Sequence, residues 1–303
     1  MLTYSAMEIT SMGKNILVTG AKGQLGSELH FLSKDKRFST FTFYFTDRNT
    51  LDITSKTKLE TFCESHDIHT IINCAAYTAV DKAEEDLEGA NAINHLAIKY
   101  MAEVAKKYTI QLIHISTDYV FDGTNYQPYA EEDQVNPQGV YGKTKLEGEE
   151  AMISISPSNS MIIRTSWVYS SFGNNFVKTM LRLGKERDEL GVIFDQVGTP
   201  TNAKHLAETI LTIIQAKQKE TGDTVPIYHY SNEGVCSWYD FAKAIFELSG
   251  IECQVNAIMT SQYPTLAKRP HYSVLNKHKI KTTYTLQIPY WRESLKSCIS
   301  LLN

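Results

Sequence analysis

The stretch Asn15–Gly26, with the sequence NILVTGAKGQLG, decides the fold class of this chain. Its first five residues are mostly apolar and predict a strand, and three glycines follow within seven residues. Leucines at helical spacing after the turn predict a helix over residues 24–33. Glycine lets backbone approach a ligand closely, and the free N–H groups of a helix start attract phosphate. The stretch therefore predicts a dinucleotide-binding turn made by Gly20, Gly23, Gln24, Leu25 and Gly26.

Asp47 follows a second β-prone run, Phe41–Thr46, and lies about 20 residues past the last of these glycines. A carboxylate at that point can hold the adenosine ribose hydroxyls, although an aspartate that ends a strand in a turn fits the pattern equally well. Arg48 comes next and could instead pair with a 2′-phosphate, so the sequence leaves NADH and NADPH both open. Asp52 and Ile53, a few residues further on, are expected to join the cofactor site.

Strand and helix patterns alternate through the rest of the first half of the chain. Residues 69–74 and 111–116 predict a third and a fourth strand, and residues 84–108 predict one long helix between them. Such alternation is typical of an α/β protein with a Rossmann-type, doubly wound parallel sheet and helices on both faces. Ligands bind at the carboxyl ends of such strands, where the strand order reverses, which we expect beside strands one and four.

Two turns at that edge carry candidate functional residues. The turn after the third strand is built of small residues that allow close approach, and we expect it to pass over the cofactor. The turn after the fourth strand holds Thr117, whose hydroxyl can hydrogen-bond a substrate carbonyl. A Ser-Thr-Asp cluster also forms turns by bonding to nearby backbone, which is the alternative. The residues assigned to the cofactor in these two turns are Ala75, Ala76, Tyr77, Thr78 and Ser116.

Tyr141 and Lys145 are four residues apart and therefore lie on one face of a predicted helix. A free phenol has a pKa of about 10, and a neighbouring ammonium favours the phenolate and lowers that pKa. Tyr141 can then act as a general acid toward a carbonyl oxygen that becomes an alkoxide. The alternative is an exposed helix start with a packed tyrosine and a solvated lysine. The glycine-rich turn upstream favours the catalytic interpretation.

Seven sequence blocks occur in a characteristic order: GAKGQLG (20–26), CAAYTAVDKAE (74–84), STDYVFDG (116–123), YGKTKLEGE (141–149), RTSWVY (164–169), GNNFVKTMLRLGKER (173–187) and DQVGTPT (195–201). With these blocks the chain resembles the extended short-chain dehydrogenase/reductase superfamily, and within it the dTDP-4-dehydrorhamnose reductase family, nearly end to end. The resemblance implies reduction of the 4-keto group of dTDP-4-dehydro-β-L-rhamnose to dTDP-L-rhamnose, the last step of dTDP-L-rhamnose biosynthesis. It also implies that NADPH or NADH supplies the hydride.

The resemblance also assigns roles at the reacting centre. The catalytic tyrosine, lysine and hydroxyl of the family correspond to Tyr141, Lys145 and Thr117. By resemblance, Tyr141 delivers a proton, Lys145 lowers the pKa of the phenol and bonds the nicotinamide ribose, and Thr117 orients the carbonyl. Tyr141 and Lys145 thus belong to the cofactor site as well. Relatives that dehydrate nucleotide sugars carry an Asp-Glu pair after the fourth strand, whereas here Asp118 precedes Tyr119, which favours simple reduction.

The expected substrate contacts are Thr117, Asp118, Trp167, Asn174 and Arg269. Asp118 and Trp167 are assigned by resemblance. An indole ring offers an apolar face to a sugar or base, and ordinary core packing is the alternative for Trp167. Arg269 can bind a diphosphate because guanidinium pairs bidentately with phosphate oxygens, and a solvated arginine is its alternative.

Composition restricts the class of protein further. The net charge of −4 gives no basic stripe for nucleic acid. The five cysteines are scattered without C-x-x-C spacing, which indicates a reduced cytoplasmic protein. The nine histidines show no ligand spacing, so we expect no catalytic metal, and no apolar run is long enough for a membrane span. The resemblance leaves open a homodimer and a divalent ion such as Mg²⁺ at a dimer contact.

The chain is long enough for two domains. We expect a disordered leader at residues 1–13 and a dinucleotide-binding domain at 14–169. A smaller α/β domain at 170–303 is expected mainly to bind substrate. Residues 195–217 are expected to return to the first domain, because an apolar helical stripe runs through residues 203–216. The alternative for this stripe is the core of the second domain.

Two other functions are compatible with this sequence. One is a different nucleotide-sugar reductase or epimerase of the same superfamily, since the fold and cofactor site do not fix the sugar. The other is a non-catalytic regulatory subunit that binds dinucleotide, against which the intact Thr117, Tyr141 and Lys145 argue. Cofactor preference, oligomeric state, the glycan that uses the product and regulation are not determined by the sequence.

Overall fold

A computed structural model describes residues 15–216 and 224–302, and the expected leader at 1–13 lies outside them. The strands are β1 (Asn15–Thr19), β2 (Thr42–Phe45), β3 (Thr70–Asn73), β4 (Gln111–Thr117), β5 (Met161–Thr165), β6 (Val168–Tyr169), β7 (Glu189–Ile193), β8 (Val197–Gly198), β9 (Thr201–Asn202), β10 (Ile227–Tyr230), β11 (Cys236–Ser237) and β12 (Gln254–Ile258). The α-helices are α1 (Gln24–Leu32), α2 (Lys56–Ser65), α3 (Val80–Ala83), α4 (Leu87–Asn91), α5 (Ala97–Tyr108), α6 (Val140–Ile155), α7 (Phe176–Glu186), α8 (Ala203–Gln215), α9 (Trp238–Ser249), α10 (His278–Tyr284) and α11 (Trp291–Ile299).

Six strands form one parallel sheet in the order β10-β5-β4-β3-β1-β2. The strand order reverses at β1, because the chain continues to β2 on one side and returns to β3 on the other. The ligand crevice expected at such a reversal therefore lies between β1 and β3. Our expectation of a reversal beside strands one and four is wrong, because β3 stands between them. The sheet also takes up β10, which the sequence did not predict.

Buried apolar clusters cover both faces of this sheet. Ile16 and Val18 face a cluster shared with α1 and α8, whereas Leu17 faces the opposite cluster, shared with α2 and α5. This alternation follows from the pleat of β1, which points successive side chains to opposite faces. The apolar stripe of α8 belongs to the first cluster, since Leu206 and Ile210 pack there with the strands.

A third apolar cluster lies away from the sheet. It joins α7, α9 and α11 to the parallel pair β7 and β12. Residues 238–248 carry apolar residues at helical spacing and residues 293–302 also predict a helix, and the structure has α9 and α11 at these positions. The cluster gives the second half of the chain an apolar core of its own.

The helix predicted over residues 84–108 is interrupted. Asp86 caps α4 by accepting the Gly89 N–H at 3.0 Å, and a π-helical turn at Ala92–Leu96 separates α4 from α5. A single-turn π segment widens the helix locally and is often found at functional sites. Here it carries the fully buried Asn94 toward the sheet edge. The prediction of one continuous helix missed this irregularity, because apolar periodicity is nearly unchanged by one widened turn.

No helix in the described parts of the chain has the length and apolar character needed to cross a membrane.

Candidate active site

A cavity of about 790 Å³ is lined by the turns that follow β1, β2 and β3. Its size lies within the range of about 300–1,000 Å³ that is typical of small-molecule sites. The other lining residues, among them Lys22, Lys82 and Ile93, were not predicted. The predicted cofactor residues that line the cavity are Gly20, Gly23, Asp47, Arg48, Asp52, Ile53, Ala75, Ala76, Tyr77 and Thr78.

The first turn requires glycine for two separate reasons. Gly20 has φ +67°, and a Cβ there would lie 2.7 Å from the Ala75 nitrogen. A Cβ on Gly26 would lie 2.5 Å from the Gly20 carbonyl oxygen, so this glycine allows α1 to pack against the turn. The helix then starts at the cavity without a side-chain cap, which leaves N–H groups for a phosphate. The turn therefore fits the pyrophosphate of a dinucleotide.

Gln24 and Leu25 point their side chains away from the cavity. Gln24 Nε2 donates to the Val168 carbonyl at 3.3 Å, and its Oε1 accepts from Asn175 at 3.0 Å. Leu25 is buried in the apolar cluster beneath the sheet. Only the backbone of these two residues faces the turn, so their proposed part in cofactor binding is through N–H groups.

Asp47 is already engaged by its own surroundings. It forms an ion pair with Lys22, and its Oδ1 accepts the N–H groups of Asn49 at 2.9 Å and Thr50 at 3.1 Å. These contacts, of which Lys22 is the strongest, lower the pKa of Asp47 to about 2. Arg48 is exposed at the cavity wall and has no ion-pair partner in residues 15–216 and 224–302. Because Lys22 pairs with Asp47, the positive charge of Arg48 at this wall is not offset by that carboxylate. The side-chain charges therefore favour a cofactor that carries an additional phosphate.

Asn94 connects the cofactor turn to the helix that carries Tyr141. Its Oδ1 accepts the Tyr77 N–H at 2.8 Å, and its Nδ2 donates to the Tyr77 carbonyl and to Thr144 Oγ1, each at 3.2 Å. A buried amide with both ends satisfied fixes the relative position of its partners. Sequence reasoning missed Asn94 because its partners lie 17 and 50 residues away.

The start of α6 places Tyr141 beside the turn after β4. Glu84 Oε1 accepts the Val140 N–H at 2.9 Å and so caps the helix from a distant part of the chain. A Cβ on Gly142 would overlap the Tyr119 carbonyl oxygen, so glycine lets α6 approach this turn closely. Glu84 and Gly142 belong to two of the sequence blocks, but only the structure shows that they position the start of α6.

Thr117, Tyr141 and Lys145 come together at the carboxyl end of β4. The Thr117 hydroxyl is hydrogen-bonded to Tyr141, and Lys145 Nζ donates to the Ile115 carbonyl at 2.6 Å. Burial raises the pKa of Tyr141 to about 12; the Thr117 contact lowers it and the charge of Asp118 raises it. The expectation that Lys145 lowers the pKa of this phenol is therefore wrong for this structure. The reason is that burial is the dominant effect, and Lys145 directs its hydrogen bonds to β4.

Asp118 and Ser116 are buried on either side of Thr117. Asp118 Oδ1 accepts from the Thr117 hydroxyl at 3.0 Å, whereas Asp118 Oδ2 and Ser116 Oγ have no partner within the described residues. Burial raises the pKa of Asp118 to about 7, while the hydroxyls of Thr117 and Ser273 act in the opposite direction and lower it. Buried polar atoms without partners are uncommon, so these two are available to a ligand.

A second cavity, of about 560 Å³, lies between α7, β7 and α9. Its walls are largely apolar, with Phe176, Leu190 and Trp238 among them. Two arginines, Arg187 and Arg269, lie in the same lining. Arg269 was predicted as a substrate contact. Arg187 was not predicted, because in the sequence an arginine that follows a helix looks like an ordinary solvated surface residue. An apolar wall with two guanidinium groups suits an aromatic base joined to a diphosphate.

Arg269 is held in place by Asp81 of α3. Its two terminal nitrogens lie 3.2 Å and 2.6 Å from the two carboxylate oxygens, and the Ala267 N–H also donates to Asp81 at 3.1 Å. Arg269 also shares a small crevice with Tyr119, whose ring lies 5.3 Å from that of Tyr141. Arg269, which we predicted to bind phosphate, and Tyr141 therefore both lie beside Tyr119.

The remaining predicted substrate residues occupy different surroundings. Trp167 has φ +48°, which is unusual for a tryptophan, and it stacks on Trp238 with ring centroids 3.6 Å apart. Its ring also lies against Gly198, where a Cβ would come within 2.7 Å of it. Asn174 is exposed in the loop before α7 and is outside the linings of both cavities.

In the parts of the chain that the structure describes, no group of three His, Cys, Asp or Glu side chains is arranged to hold a metal ion. All five cysteines are free thiols.

The sheet, the glycine-rich turn and the Thr117, Tyr141 and Lys145 group define a Rossmann-type oxidoreductase that uses a nicotinamide dinucleotide. The chain belongs to the family described as RmlD substrate binding domain, whose model matches residues 14–303. It is 44% identical over 292 residues to the dTDP-4-dehydrorhamnose reductase of Aggregatibacter actinomycetemcomitans, an alignment that covers 93% of this chain and 97% of that protein.

Solved structures agree with this assignment. A dTDP-4-dehydrorhamnose reductase from Clostridium acetobutylicum superimposes with a TM-score of 0.89 at 44% identity, covering 95% of this chain and 99% of that one. The corresponding reductase of Bacillus anthracis, solved in complex with NADP, gives a TM-score of 0.89 at 36% identity, covering 96% of this chain and 100% of that one. The family, the fold class and the oxidoreductase class expected from the sequence are confirmed.

Proposed function

We propose that this protein reduces the 4-keto group of dTDP-4-dehydro-β-L-rhamnose to dTDP-L-rhamnose with NADPH or NADH, the last step of dTDP-L-rhamnose biosynthesis. The observation that carries the proposal is the group formed by Thr117, Tyr141 and Lys145 at the carboxyl end of β4, in the same parallel sheet whose strand β1 ends in the glycine-rich turn. The relatives named above, similar over nearly their whole length, carry the same activity in their names. The assignment of individual site residues rests on the geometry described above and on the resemblance of the sequence blocks.

The two cavities correspond to the two ligands. The cavity at the β1, β2 and β3 turns holds the dinucleotide, and the one between α7 and α9 holds the thymidine diphosphate. Arg187 and Arg269 bind the diphosphate, and the apolar lining holds the base. We infer that residues 14–169 with α8 make up the dinucleotide-binding domain and that most of 170–303 binds the sugar nucleotide.

The chemistry follows from the protonation states at β4. When bound, the nicotinamide supplies the hydride to the sugar carbonyl carbon. Tyr141 enters the reaction protonated, because burial raises the pKa of its phenol to about 12, and it gives its proton to the carbonyl oxygen. The single O–H of Thr117 turns from Asp118 Oδ1 to the same oxygen and donates a hydrogen bond to it as negative charge develops there. Asp118 Oδ2, which is buried and has no hydrogen-bond partner among the described residues, binds a hydroxyl of the sugar.

Elimination chemistry does not suit this site. By resemblance, a dehydratase needs a carboxylate at position 119, where this chain has Tyr119. The Tyr119 ring packs edge-on against Tyr141, and burial raises the pKa of its phenol above the usual range. Tyr119 therefore cannot act as the base that removes a ring proton.

We further infer a cytoplasmic enzyme, supported by five free thiols, and a homodimer, for which the family resemblance is the only support. Size-exclusion chromatography with light scattering tests the dimer, and a monomer at micromolar concentration would argue against it.

The deciding experiment mixes the purified full-length protein, NADPH or NADH, and freshly generated dTDP-4-dehydrorhamnose. Loss of reduced-cofactor absorbance together with dTDP-L-rhamnose, identified by mass and NMR, would establish the reaction. If dinucleotide binds but is not oxidised, other 4-keto nucleotide sugars are tested next. Failure with all of them would leave a regulatory subunit as the better hypothesis.

Arg48→Ala is expected to raise KM for NADPH about tenfold while KM for NADH changes by less than about twofold. The reason is that Arg48 follows Asp47 at the wall where the 2′-phosphate would lie and has no ion-pair partner among the described residues, whereas Lys22 is already paired with Asp47. Steady-state kinetics with each cofactor measures the ratio. Arg292→Ala, which removes an arginine paired with Glu247 outside both cavities, is the control. Equal changes for NADPH and NADH would show that Arg48 does not read the 2′-phosphate.

Asp81→Asn is expected to raise KM for the sugar nucleotide about five- to tenfold with little change in kcat. The carboxylate fixes both terminal nitrogens of Arg269 and the Ala267 N–H, so its loss frees the phosphate-binding guanidinium to move. KM for NADPH is the internal control and should stay within about twofold. A lower KM for the sugar nucleotide would mean that Asp81 competes with the diphosphate instead of orienting Arg269.

A further inference from the structure

The segment at residues 168–175, which leads from β6 into α7, is attached to the helix that begins at the dinucleotide turn. Gln24, the first residue of α1, donates from Nε2 to the Val168 carbonyl at 3.3 Å. Its Oε1 accepts from Asn175 Nδ2 at 3.0 Å. Gln24 and its two partners lie 144 and 151 residues apart in the sequence. One amide of α1 therefore joins both ends of this segment to the cofactor helix.

Backbone groups fix the orientation of the two amides. Asn175 Oδ1 accepts the Lys178 N–H at 3.1 Å, and since an N–H can only donate, the NH₂ group of Asn175 must face Gln24. Gln24 then presents its oxygen to Asn175 and its own NH₂ to the Val168 carbonyl, which can only accept. A flip of either amide would set two donors or two acceptors against each other.

A second contact with α1 holds the middle of the same segment. The Ser170 hydroxyl donates to Glu28 Oε1 at 2.6 Å, one helical turn after Gln24. Both side chains are buried. The Ser170 carbonyl also accepts from Asn175 Nδ2 at 2.7 Å. Two attachments one turn apart on α1 thus restrict where Asn175 can lie.

The position of Asn175 determines where α7 begins. Asn175 is the N-cap of this helix, through its bond from the Lys178 N–H. One side of α7 forms a wall of the second cavity, with Phe176 and Met180 in the lining, and Arg187 follows the end of the helix. A shift of α7 would therefore displace both the apolar wall and one of the two guanidinium groups assigned to the diphosphate.

Gln24 faces both ligands with different parts of the same residue. As the first residue of α1 it has a backbone N–H without a partner inside the helix, at the turn that fits a pyrophosphate. Its side chain meanwhile holds Asn175. We propose that Gln24 is a positioning residue of the second cavity. Dinucleotide bound at the backbone of Gln24 fixes its side chain against Asn175 and orders the start of α7, and so raises the affinity of the second cavity for thymidine diphosphate.

The inference rests on the proposed function for the assignment of the two ligands, but it is measured by binding alone. The probe is dTDP, titrated calorimetrically into the full-length protein with and without saturating NADPH. We expect dTDP to bind about tenfold more tightly when NADPH is present. In Gln24→Met this ratio is expected to fall to within about twofold of one, because methionine keeps the length of the side chain and removes both hydrogen bonds. The affinity for NADPH alone should stay within about twofold, since the backbone N–H is retained.

Asn175→Ser breaks the same contact from the other side. Serine is a good N-cap and preserves the start of α7, but it has no amide to donate to Gln24. The same loss of the ratio is expected, and Gln24→Met combined with Asn175→Ser should lose no more than either alone, because the two residues act through one hydrogen bond. Gln215→Met is the matched control. Its amide donates to the Arg37 carbonyl at 2.6 Å outside both cavities, so the ratio should be unchanged.

A purely structural role for Gln24 would weaken dTDP binding equally with and without NADPH. An unchanged ratio in folded Gln24→Met would therefore overturn the proposal, as would a ratio near one in the unsubstituted protein. Absence of turnover with dTDP-4-dehydrorhamnose, together with a tenfold ratio that Gln24→Met abolishes, would contradict only the proposed reaction. Normal turnover with a ratio near one would contradict only the inference about Gln24. If dTDP bound neither form, the nucleotide assignment of the second cavity and this inference would both fail.

Discussion

Tyr141→Phe is expected to lower kcat by about 10²–10⁴-fold while the affinity for NADPH stays within about twofold. The substitution removes the hydroxyl that we propose gives a proton to the carbonyl oxygen. Phenylalanine keeps the ring that packs on Tyr119, so the start of α6 should be undisturbed. Single-turnover rates and fluorescence titration of NADPH measure the two quantities separately.

Tyr126→Phe is the matched control for this experiment. Tyr126 is 85% exposed, so the loss of its hydroxyl should leave kcat and stability unchanged. If Tyr141→Phe retained full turnover, Tyr141 would not be the proton donor. If the unsubstituted protein also showed no turnover with any nucleotide sugar, the regulatory-subunit hypothesis would gain instead.

Glu149→Ala is expected to lower the free energy of unfolding by about 3–5 kcal/mol, because it leaves a buried guanidinium without its counter-charge. Arg164 Nε lies 3.0 Å and 3.2 Å from the two Glu149 oxygens, and Arg164 NH2 lies 2.6 Å from Oε2. The side chains are 3% and 1% exposed, so water cannot replace the lost partner. Arg164 NH1 already lacks a hydrogen bond within the described residues, which makes further loss harder to accommodate. Urea unfolding followed by circular dichroism measures the change.

Glu150→Ala, one residue further along α6 and exposed, is the control and should change stability by less than about 0.5 kcal/mol. Replacing both partners, as in Glu149→Leu with Arg164→Met, should recover much of the loss, because no charge then remains buried. A change below about 1 kcal/mol for Glu149→Ala alone would show that water or a rearranged side chain reaches Arg164.

The local sequence patterns were sufficient to predict much of the fold. Strand, turn and helix from Asn15 to Leu32 lie where periodicity and glycine spacing placed them, because each element is specified by residues close in sequence. The same holds for α9 and for the cofactor turn at residues 75–78. Prediction was poorer where distant segments decide the outcome. The sheet takes up β10 beside β5, and β3 separates β1 from β4, because strand order depends on which edges pair after the chain has crossed over.

The candidate site shows the same division. Its candidate catalytic groups, Thr117, Tyr141 and Lys145, were predicted from short spacing on one turn and one helix, and the structure brings them together at the end of β4. The residues that hold them were not predicted, since their partners are remote in sequence. Asn94, Glu84, Asp81 and Arg187 are ordinary polar residues until the fold brings them to α6, to Arg269 or to the second cavity.

The sequence by itself determined the class of fold and the type of cofactor, and it predicted candidate reacting side chains, because glycine conformation, helical spacing and acid–base chemistry are local properties. Only the tertiary structure decided the electrostatic state of those side chains. Burial raises the pKa of Tyr141 to about 12 and lowers that of Lys145 to about 8, opposite to the simple expectation of a lysine that activates a tyrosine. Desolvation and the direction of each hydrogen bond depend on the surrounding strands, and those are brought together only when the chain has folded.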